Sequence, residues 1–257
     1  MGEGTGRLAG KRILITGASG ALGSDLARAC GAQGARLVVT GRSRERLEPL
    51  VRGLRAEGVP TVPVAADFAC NADADRLGVE AEAAFGGIDV VVLSGQPADP
   101  CQGMLLDLDD AIIAEQQQVL VWGPFRTVRK LVPGMIARGS GSIIAITSST
   151  GDEQPVPGYG AYGLAKGTLW RLTRQMAAEW GRYGIRANAL QPGHIATGDD
   201  DQARALEAAL ATNGALSRNA MGRVGRNHEC MGALIYLASD ESSYTSGQRI
   251  AVNGGRF

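Results

Sequence analysis

Short runs of β-branched and aliphatic residues alternate along the 257-residue chain with longer stretches of helical period, and that alternation leaves few ways to fold. The runs fall at Arg12–Thr16, Arg36–Thr40, Thr61–Ala65, Asp89–Ser94, Ser142–Thr147, Arg186–Gln191 and Arg249–Val252. Amphipathic stretches lie between them near 22–33, 43–57, 72–85, 108–138, 162–182 and 228–239. Strands that recur after helices pair in parallel through crossover connections. Ile13-Leu14-Ile15, Val90-Val91-Val92-Leu93 and Ile143-Ile144-Ala145-Ile146 are apolar at successive positions, as strands covered on both faces must be. With 44% apolar residues, the chain can build a core of that kind. The expected fold is α/β, with a doubly wound, seven-stranded, mainly parallel sheet and helices on both faces. No linker or repeat interrupts 1–257, so one domain is expected, with residues 1–7 as a flexible N-terminus.

The first strand runs into Gly17-Ala18-Ser19-Gly20-Ala21-Leu22-Gly23 and then a helix whose apolar face carries Leu22, Leu26 and Cys30. Glycines at a first strand-to-helix turn let the backbone bend sharply and let a pyrophosphate approach the helix N-terminus. In this context the turn points to a Rossmann-type dinucleotide site. About twenty residues further on, NAD sites place a carboxylate on the ribose 2′-hydroxyl. Thr40-Gly41-Arg42-Ser43-Arg44 stands there instead. A guanidinium pairs with a 2′-phosphate where a carboxylate would repel it, so Arg42 and Ser43 favour NADP(H) over NAD(H). The alternative is that Arg42 and Arg44 are solvated surface charges.

Tyr162 and Lys166 are four residues apart, so phenol and ammonium point the same way from one helix face. An ammonium beside a phenol stabilises the phenolate and draws its pKa down, which suits a group that must exchange a proton near neutrality. Taken with these landmarks, Asp67 after the third strand, Ser148 after the fifth, Asn188 and Pro192-Gly193 extend one pattern. It closes through Leu237-Ala238-Ser239-Asp240, Ser246-Gly247-Gln248 and Val252-Asn253-Gly254-Gly255. From Leu8 to Gly255 the chain closely resembles the short-chain dehydrogenase/reductase family, in its simple form similar to 3-oxoacyl-ACP reductases.

The resemblance implies an enzyme that interconverts a ketone and a secondary alcohol by hydride transfer with a nicotinamide dinucleotide. Tyr162 would be the acid of reduction and the base of oxidation. Lys166 would hold the nicotinamide ribose, and Ser148 would orient the substrate oxygen. Gly17, Ser19, Gly20, Leu22 and Gly23 would line the phosphates, and Asp67 would contact the adenine. Pro192, Gly193, Ile195 and Thr197 would flank the nicotinamide. Ser149 rivals Ser148, because counting back from Tyr162 favours the later serine. Gln96, Gln154, Tyr159 and His194 are candidate substrate-pocket residues by position. The segment 194–226 would be a substrate lid, with a short helix at Ala203–Ala211. It has no basic cluster for a phosphorylated or CoA-linked substrate, so a moderately apolar ketone or alcohol is expected. Helices equivalent to 108–138 and 162–182 build dimers and tetramers in the family, so a homotetramer or homodimer is expected.

Three positions depart from the family pattern. Ala21 replaces a glycine of the first turn. Leu93-Ser94-Gly95-Gln96 stands for Asn-Asn-Ala-Gly. Leu120 stands where the family carries an asparagine that anchors a proton-relay water. Either the relay is rerouted, or the scaffold serves a non-redox reaction (isomerase, dehydratase or cyclase) or a cofactor-binding regulatory role. Asp199-Asp200-Asp201 complements a helix dipole better than it binds a metal, and no metal is expected. Lys plus Arg and Asp plus Glu are 26 each, which gives no reason to expect nucleic acid or an anionic membrane as partner. The N-terminal stretch has no apolar signal core. Cys30, Cys70, Cys101 and Cys230 lack CxxC spacing, so reduced thiols in a cytoplasmic protein are expected.

Overall fold

The computed structural model describes residues 6–97, 99–151, 154–198, 200–212 and 214–256. The first four strands and the helices between them follow the expected alternation. They are β1 (Arg12–Ile15), α1 (Ala21–Ala32), β2 (Arg36–Gly41), α2 (Arg44–Ala56), β3 (Thr61–Ala65), α3 (Asn71–Phe85) and β4 (Val90–Leu93). After β4 come α4 (Asp110–Gln117), α5 (Gly123–Arg138), β5 (Gly141–Ile146) and α6 (Gly160–Trp180). The chain finishes with β6 (Ile185–Pro192), β7 (Ile195–Ala196), α7 (Asp200–Thr212), β8 (Gly225–Arg226), α8 (Asn227–Ala238) and β9 (Arg249–Val252).

The seven long strands form one sheet in the order β3-β2-β1-β4-β5-β6-β9, and every pair in it is parallel. The order reverses between β1 and β4, and a crevice opens at such a switch point beyond the carboxyl ends of the strands. The expected seven-stranded, doubly wound Rossmann architecture is therefore present. A two-residue pair of β7 and β8, which has no periodicity to reveal it, adds a small second sheet under the lid region.

Alternation along each strand splits the core in two. Ile13 and Ile15 pack with α1, α2 and α8 through Leu26, Leu47, Leu50, Leu54 and Leu234. Leu14 faces the other way, with Val91, Leu93, Ile143 and Ala145, against α3, α5 and α6. Each fully buried Val, Leu or Ile contributes about 1.5–3 kcal/mol, and both faces being covered explains why the strand sequences do not alternate with polar residues. Helix ends are fixed by side chains where the sequence provides them. Ser43 accepts from the Arg46 N–H at the start of α2, and Asp109 accepts from Ala111 N–H at the start of α4.

The stretch 108–138, read as one amphipathic segment, is broken. A π-helical turn, Gln118–Trp122, separates α4 from α5. Pro124, near the start of α5, has no N–H to donate to the carbonyl of Leu120, so an unbroken α-helical ladder is impossible there. At the N-terminus, residues 1–5 of the expected flexible segment lie outside the described residues. Arg7 pairs with Glu241, and Leu8 is fully buried. Asp199 also lies outside the described residues, while Asp200 and Asp201 open α7, which extends the short helix expected at Ala203–Ala211 by a few residues.

Two glycines of the first turn differ sharply in the space around them. A Cβ on Gly23 would lie 2.2 Å from the Gly17 carbonyl oxygen and 3.0 Å from Ala18 Cα, all backbone. A Cβ on Gly20 would meet only the Gly17 carbonyl oxygen, at 3.3 Å. Gly23→Ala should therefore lower unfolding free energy by about 1–3 kcal/mol in urea denaturation, with Gly20→Ala much closer to wild type. Equal midpoints for the two variants would contradict this packing.

Candidate active site

The crevice begins at the β1–α1 turn. Gly17 has φ +65°, and a Cβ there would lie 2.9 Å from the Ser94 carbonyl oxygen. Ala18 N–H donates to the Thr40 carbonyl, and Gly20 N–H to the Gly17 carbonyl. Ser19 is half-buried, and a Cβ on Gly41 would lie 2.6 Å from its Oγ. Leu22 packs onto the core and Gly23 is buried, while Ala21 is exposed. The methyl of Ala21 is therefore accommodated without displacing a neighbour.

The altered segment after β4 is ordered by its own chemistry. Leu93 is buried in the core beside α6. Ser94 is buried, its hydroxyl donating to the Thr16 carbonyl at 2.5 Å while its N–H donates to Thr16 Oγ1 at 3.0 Å. These bonds tie β1 to β4 at the switch point. Beside them lies a cavity of about 270 Å3, lined in part by Gly17, Thr40, Arg42, Asp67, Gly95 and Gln96. The Thr40 hydroxyl is buried without a partner among the described residues. Arg42 is exposed at the rim. Ser43 caps α2, its hydroxyl accepting from the Arg46 N–H at 3.2 Å and donating to Glu45 at 2.5 Å. Asp67 stands on the opposite wall, its carboxylate accepting from the Ala69 N–H at 2.9 Å.

Tyr162 and Lys166 project from α6 toward the ends of β4 and β5. Lys166 is fully buried; its Nζ donates to the Ile146 carbonyl at 2.8 Å and the Gly95 carbonyl at 3.4 Å. Burial drives its pKa down to about 7. The Tyr162 hydroxyl donates to Gln96 Oε1 at 3.1 Å, and Ser148 is its other polar neighbour. Burial holds the phenol above its ordinary range and outweighs Ser148 and Gln96, which act the other way. Lys166 Nζ lies 5.6 Å from the Tyr162 ring centre. Desolvation thus sets the direction at both groups, and the groups that pull the phenol down are Ser148 and Gln96.

Ser148, rather than Ser149, reaches Tyr162. Ser148 Oγ also accepts from Thr150 N–H, while Ser149 is buried at the start of a 3-10 turn and its carbonyl accepts from the Gln154 N–H. Tyr159 meets Tyr162 edge-on, with ring centres 6.3 Å apart. Gln154 is buried, and its Oε1 has no partner among the described residues. Leu120 lies in the π turn, buried in the cluster that contains Tyr162 and Leu93. A neighbour that sequence reading passed over is Gln116, buried in the cavity wall and bonded to Gln102 at 3.1 Å. Its only trace in the sequence is the run Gln116–Gln118.

Beyond β6 the expected residues divide. Pro192 and Gly193 end the strand, and a Cβ on Gly193 would lie 2.6 Å from Asn253 Cα. Ile195 sits in β7 against the core, and Thr197 is exposed just after it. His194 turns to Arg256, 2.7 Å from its guanidinium, and lines a separate cavity of about 70 Å3 with Asn219 and Met221. Burial first, then Arg256, lowers its pKa to about 4, so it stays neutral at ordinary pH. None of the residues lining that cavity is Tyr162, Ser148 or Gln96. Among the described residues no helix is long and apolar enough to cross a membrane.

A family model described as enoyl-(acyl carrier protein) reductase matches residues 17–256. The chain is 34% identical over 252 residues to gluconate 5-dehydrogenase of Gluconobacter oxydans, covering 96% of this chain and 95% of that protein. It is 33% identical over 250 residues to galactitol 2-dehydrogenase (L-tagatose-forming) of Cereibacter sphaeroides, covering 97% and 96%. The crystal structure of gluconate 5-dehydrogenase from Burkholderia cenocepacia, in complex with NADP and tartrate, matches with TM-score 0.85 at 34% identity. That match covers 96% of this chain and 94% of the other. With a parallel sheet that switches direction at a glycine turn, and relatives that align over nearly its whole length, this chain is an oxidoreductase of the short-chain dehydrogenase/reductase family.

Proposed function

We propose that this chain interconverts a ketone and a secondary alcohol with NADP(H), and that Tyr162 exchanges the proton at the substrate oxygen. The observation that carries the reading is the meeting of the Tyr162 hydroxyl with Ser148, one turn from Lys166, at the ends of β4 and β5. The residues present fit a dinucleotide. A Cβ on Gly95 would meet nothing within 4 Å, so backbone there borders open space, and the unpartnered Thr40 hydroxyl faces the same region. The dinucleotide, when bound, supplies or accepts the hydride. Gly17, Ser19, Gly20, Leu22 and Gly23 would hold its phosphates, Asp67 its adenine, Lys166 its ribose, and Pro192, Gly193, Ile195 and Thr197 its nicotinamide end.

Tyr162, protonated and buried, serves as the acid toward a carbonyl oxygen, with Ser148 fixing that oxygen's direction. In oxidation the phenolate takes the alcohol proton, and an ammonium at Lys166 favours that state. Leu120 offers no polar side chain for a relay, and the solvent-facing polar neighbour of the Tyr162 hydroxyl is the exposed Gln96. Relatives named for gluconate and galactitol support a polyhydroxylated substrate. Gln154, buried with an unpartnered amide oxygen, adds hydrogen-bonding capacity that a moderately apolar ketone would not use. A homodimer or homotetramer is supported by the groove of about 870 Å3 along α6, where Leu105, Trp122 and Leu164 are exposed.

A panel of gluconate, galactitol and their keto counterparts, read by NADPH absorbance, tests the reading. Turnover by the wild type and its loss by at least a hundredfold in Tyr162→Phe, with cofactor still bound, is the expected result. Normal turnover by Tyr162→Phe would remove Tyr162 from the chemistry. For cofactor choice, Arg42→Asp should weaken NADPH binding at least tenfold while leaving NADH binding nearly unchanged, as read by calorimetry. Unaltered NADPH affinity would make Arg42 a surface charge only.

A further inference from the structure

Gln96 ends the stretch Leu93-Ser94-Gly95-Gln96 just past β4 and brings a carboxamide to the cavity there. Its Oε1 accepts the hydrogen bond of the Tyr162 hydroxyl at 3.1 Å, with Ser148 beside the same hydroxyl. A ketone about to be reduced must offer the same thing to the same groups: an sp2 oxygen that accepts from the tyrosine, beside the serine. The amide carbonyl meets that requirement without reacting, because its nitrogen lone pair is delocalised onto the carbon and makes it a poor hydride acceptor.

The contact is also weakly held. Gln96 is exposed, and the bond to Tyr162 is the only hydrogen bond of its side chain among the described residues. A Cβ on the preceding Gly95 would meet nothing within 4 Å, so the Gln96 side chain has open space to turn into while the Gly95 carbonyl stays on Lys166. We propose that the Gln96 carboxamide is a displaceable stand-in for the reacting oxygen of the substrate, capping Tyr162 until a ketone or alcohol takes its place. The proposal rests on the reading of Tyr162 as the acid and base.

The cap competes with substrate in the free enzyme, and a neutral hydrogen bond of this kind corresponds to about a two- to tenfold effect. An opposite role, in which Gln96 holds the substrate, reverses the sign of every consequence. Groups facing Tyr162 that could confuse a pH-dependent readout are Lys166 from its own helix and Tyr159, which in turn faces Asp99 and Cys101. All comparisons are therefore made at one pH and at saturating NADPH.

With the best ketone of the panel, Gln96→Gly should raise kcat/KM about two- to tenfold. Gln96→Glu, whose carboxylate is a stronger acceptor for the phenol, should lower it below wild type. An unchanged or reduced kcat/KM in Gln96→Gly overturns the proposal. A second measurement does not depend on the natural substrate. Isobutyramide, an unreactive carbonyl analogue, should bind the NADPH complex of Gln96→Gly at least twofold more tightly than that of wild type by calorimetry, and equal affinity overturns the cap. If Tyr162→Phe loses turnover while Gln96→Gly behaves as wild type, the cap fails and the reading of Tyr162 stands. If Tyr162→Phe turns over normally, both fail.

Discussion

The site depends on one buried amine. Lys166 is enclosed by protein, and its Nζ reaches the Ile146 carbonyl at the end of β5 and the Gly95 carbonyl just past β4. Those two bonds lock α6 across the carboxyl ends of adjacent central strands. Tyr162 lies one turn back on the same face, so the position of its hydroxyl follows from where the lysine is anchored. Desolvation makes the charged form costly, which is why the amine titrates near 7 and the neighbouring phenol is held high. A ligand that brings hydroxyl groups to Lys166 would offset that cost and restore the ammonium.

The departures from the family pattern are local repairs of the same frame. Leu93 turns an asparagine position into core, and Ser94 joins β1 to β4 through both its hydroxyl and its backbone N–H. Pro124 breaks the helical ladder and leaves a π turn, in which Leu120 packs against the cluster holding Tyr162. That exchange favours packing over hydration on one side of the tyrosine. On the other side, Gln96 brings an amide to the hydroxyl from the cavity mouth. The polar surroundings of Tyr162 have thus moved from the helix to the loop after β4.

What could be read from the sequence was what local periodicity and short-range spacing encode. The strand runs, the glycine turn before α1 and the four-residue step from Tyr162 to Lys166 each declare themselves within a few residues. The reversal of strand order between β1 and β4 follows from family likeness and parallel pairing. Long-range contacts were hidden. Nothing near Gln96 announces Tyr162, 66 positions away, and nothing near His194 announces Arg256. Ser43 looked like a ligand residue beside Arg42, yet a helix start immediately after it claims the hydroxyl. Counting from β5 favours Ser148 and counting back from Tyr162 favours Ser149, and only the fold shows Ser149 buried at the start of a 3-10 turn. The break at Gln118–Trp122 had a signal in Pro124, which the amphipathic pattern on either side masked.

The direct test of the central claim is the pH dependence of folding stability, wild type against Lys166→Met. The folded amine titrates near 7 and the unfolded one near 10.5, so between those values the unfolded chain binds a proton that the folded chain does not. Stability should therefore rise with pH across that window and be lost as pH falls toward 7. The thiols of Cys30 and Cys230, which burial pushes up to about 12 and about 11, are common to both proteins and cancel in the difference between them, read over pH 7–9. In urea denaturation the wild type should gain up to about 1.4 kcal/mol per pH unit relative to Lys166→Met. Parallel stability curves for the two proteins would mean that Lys166 is charged and well solvated in the folded chain, and the account of the site built on its burial would be wrong.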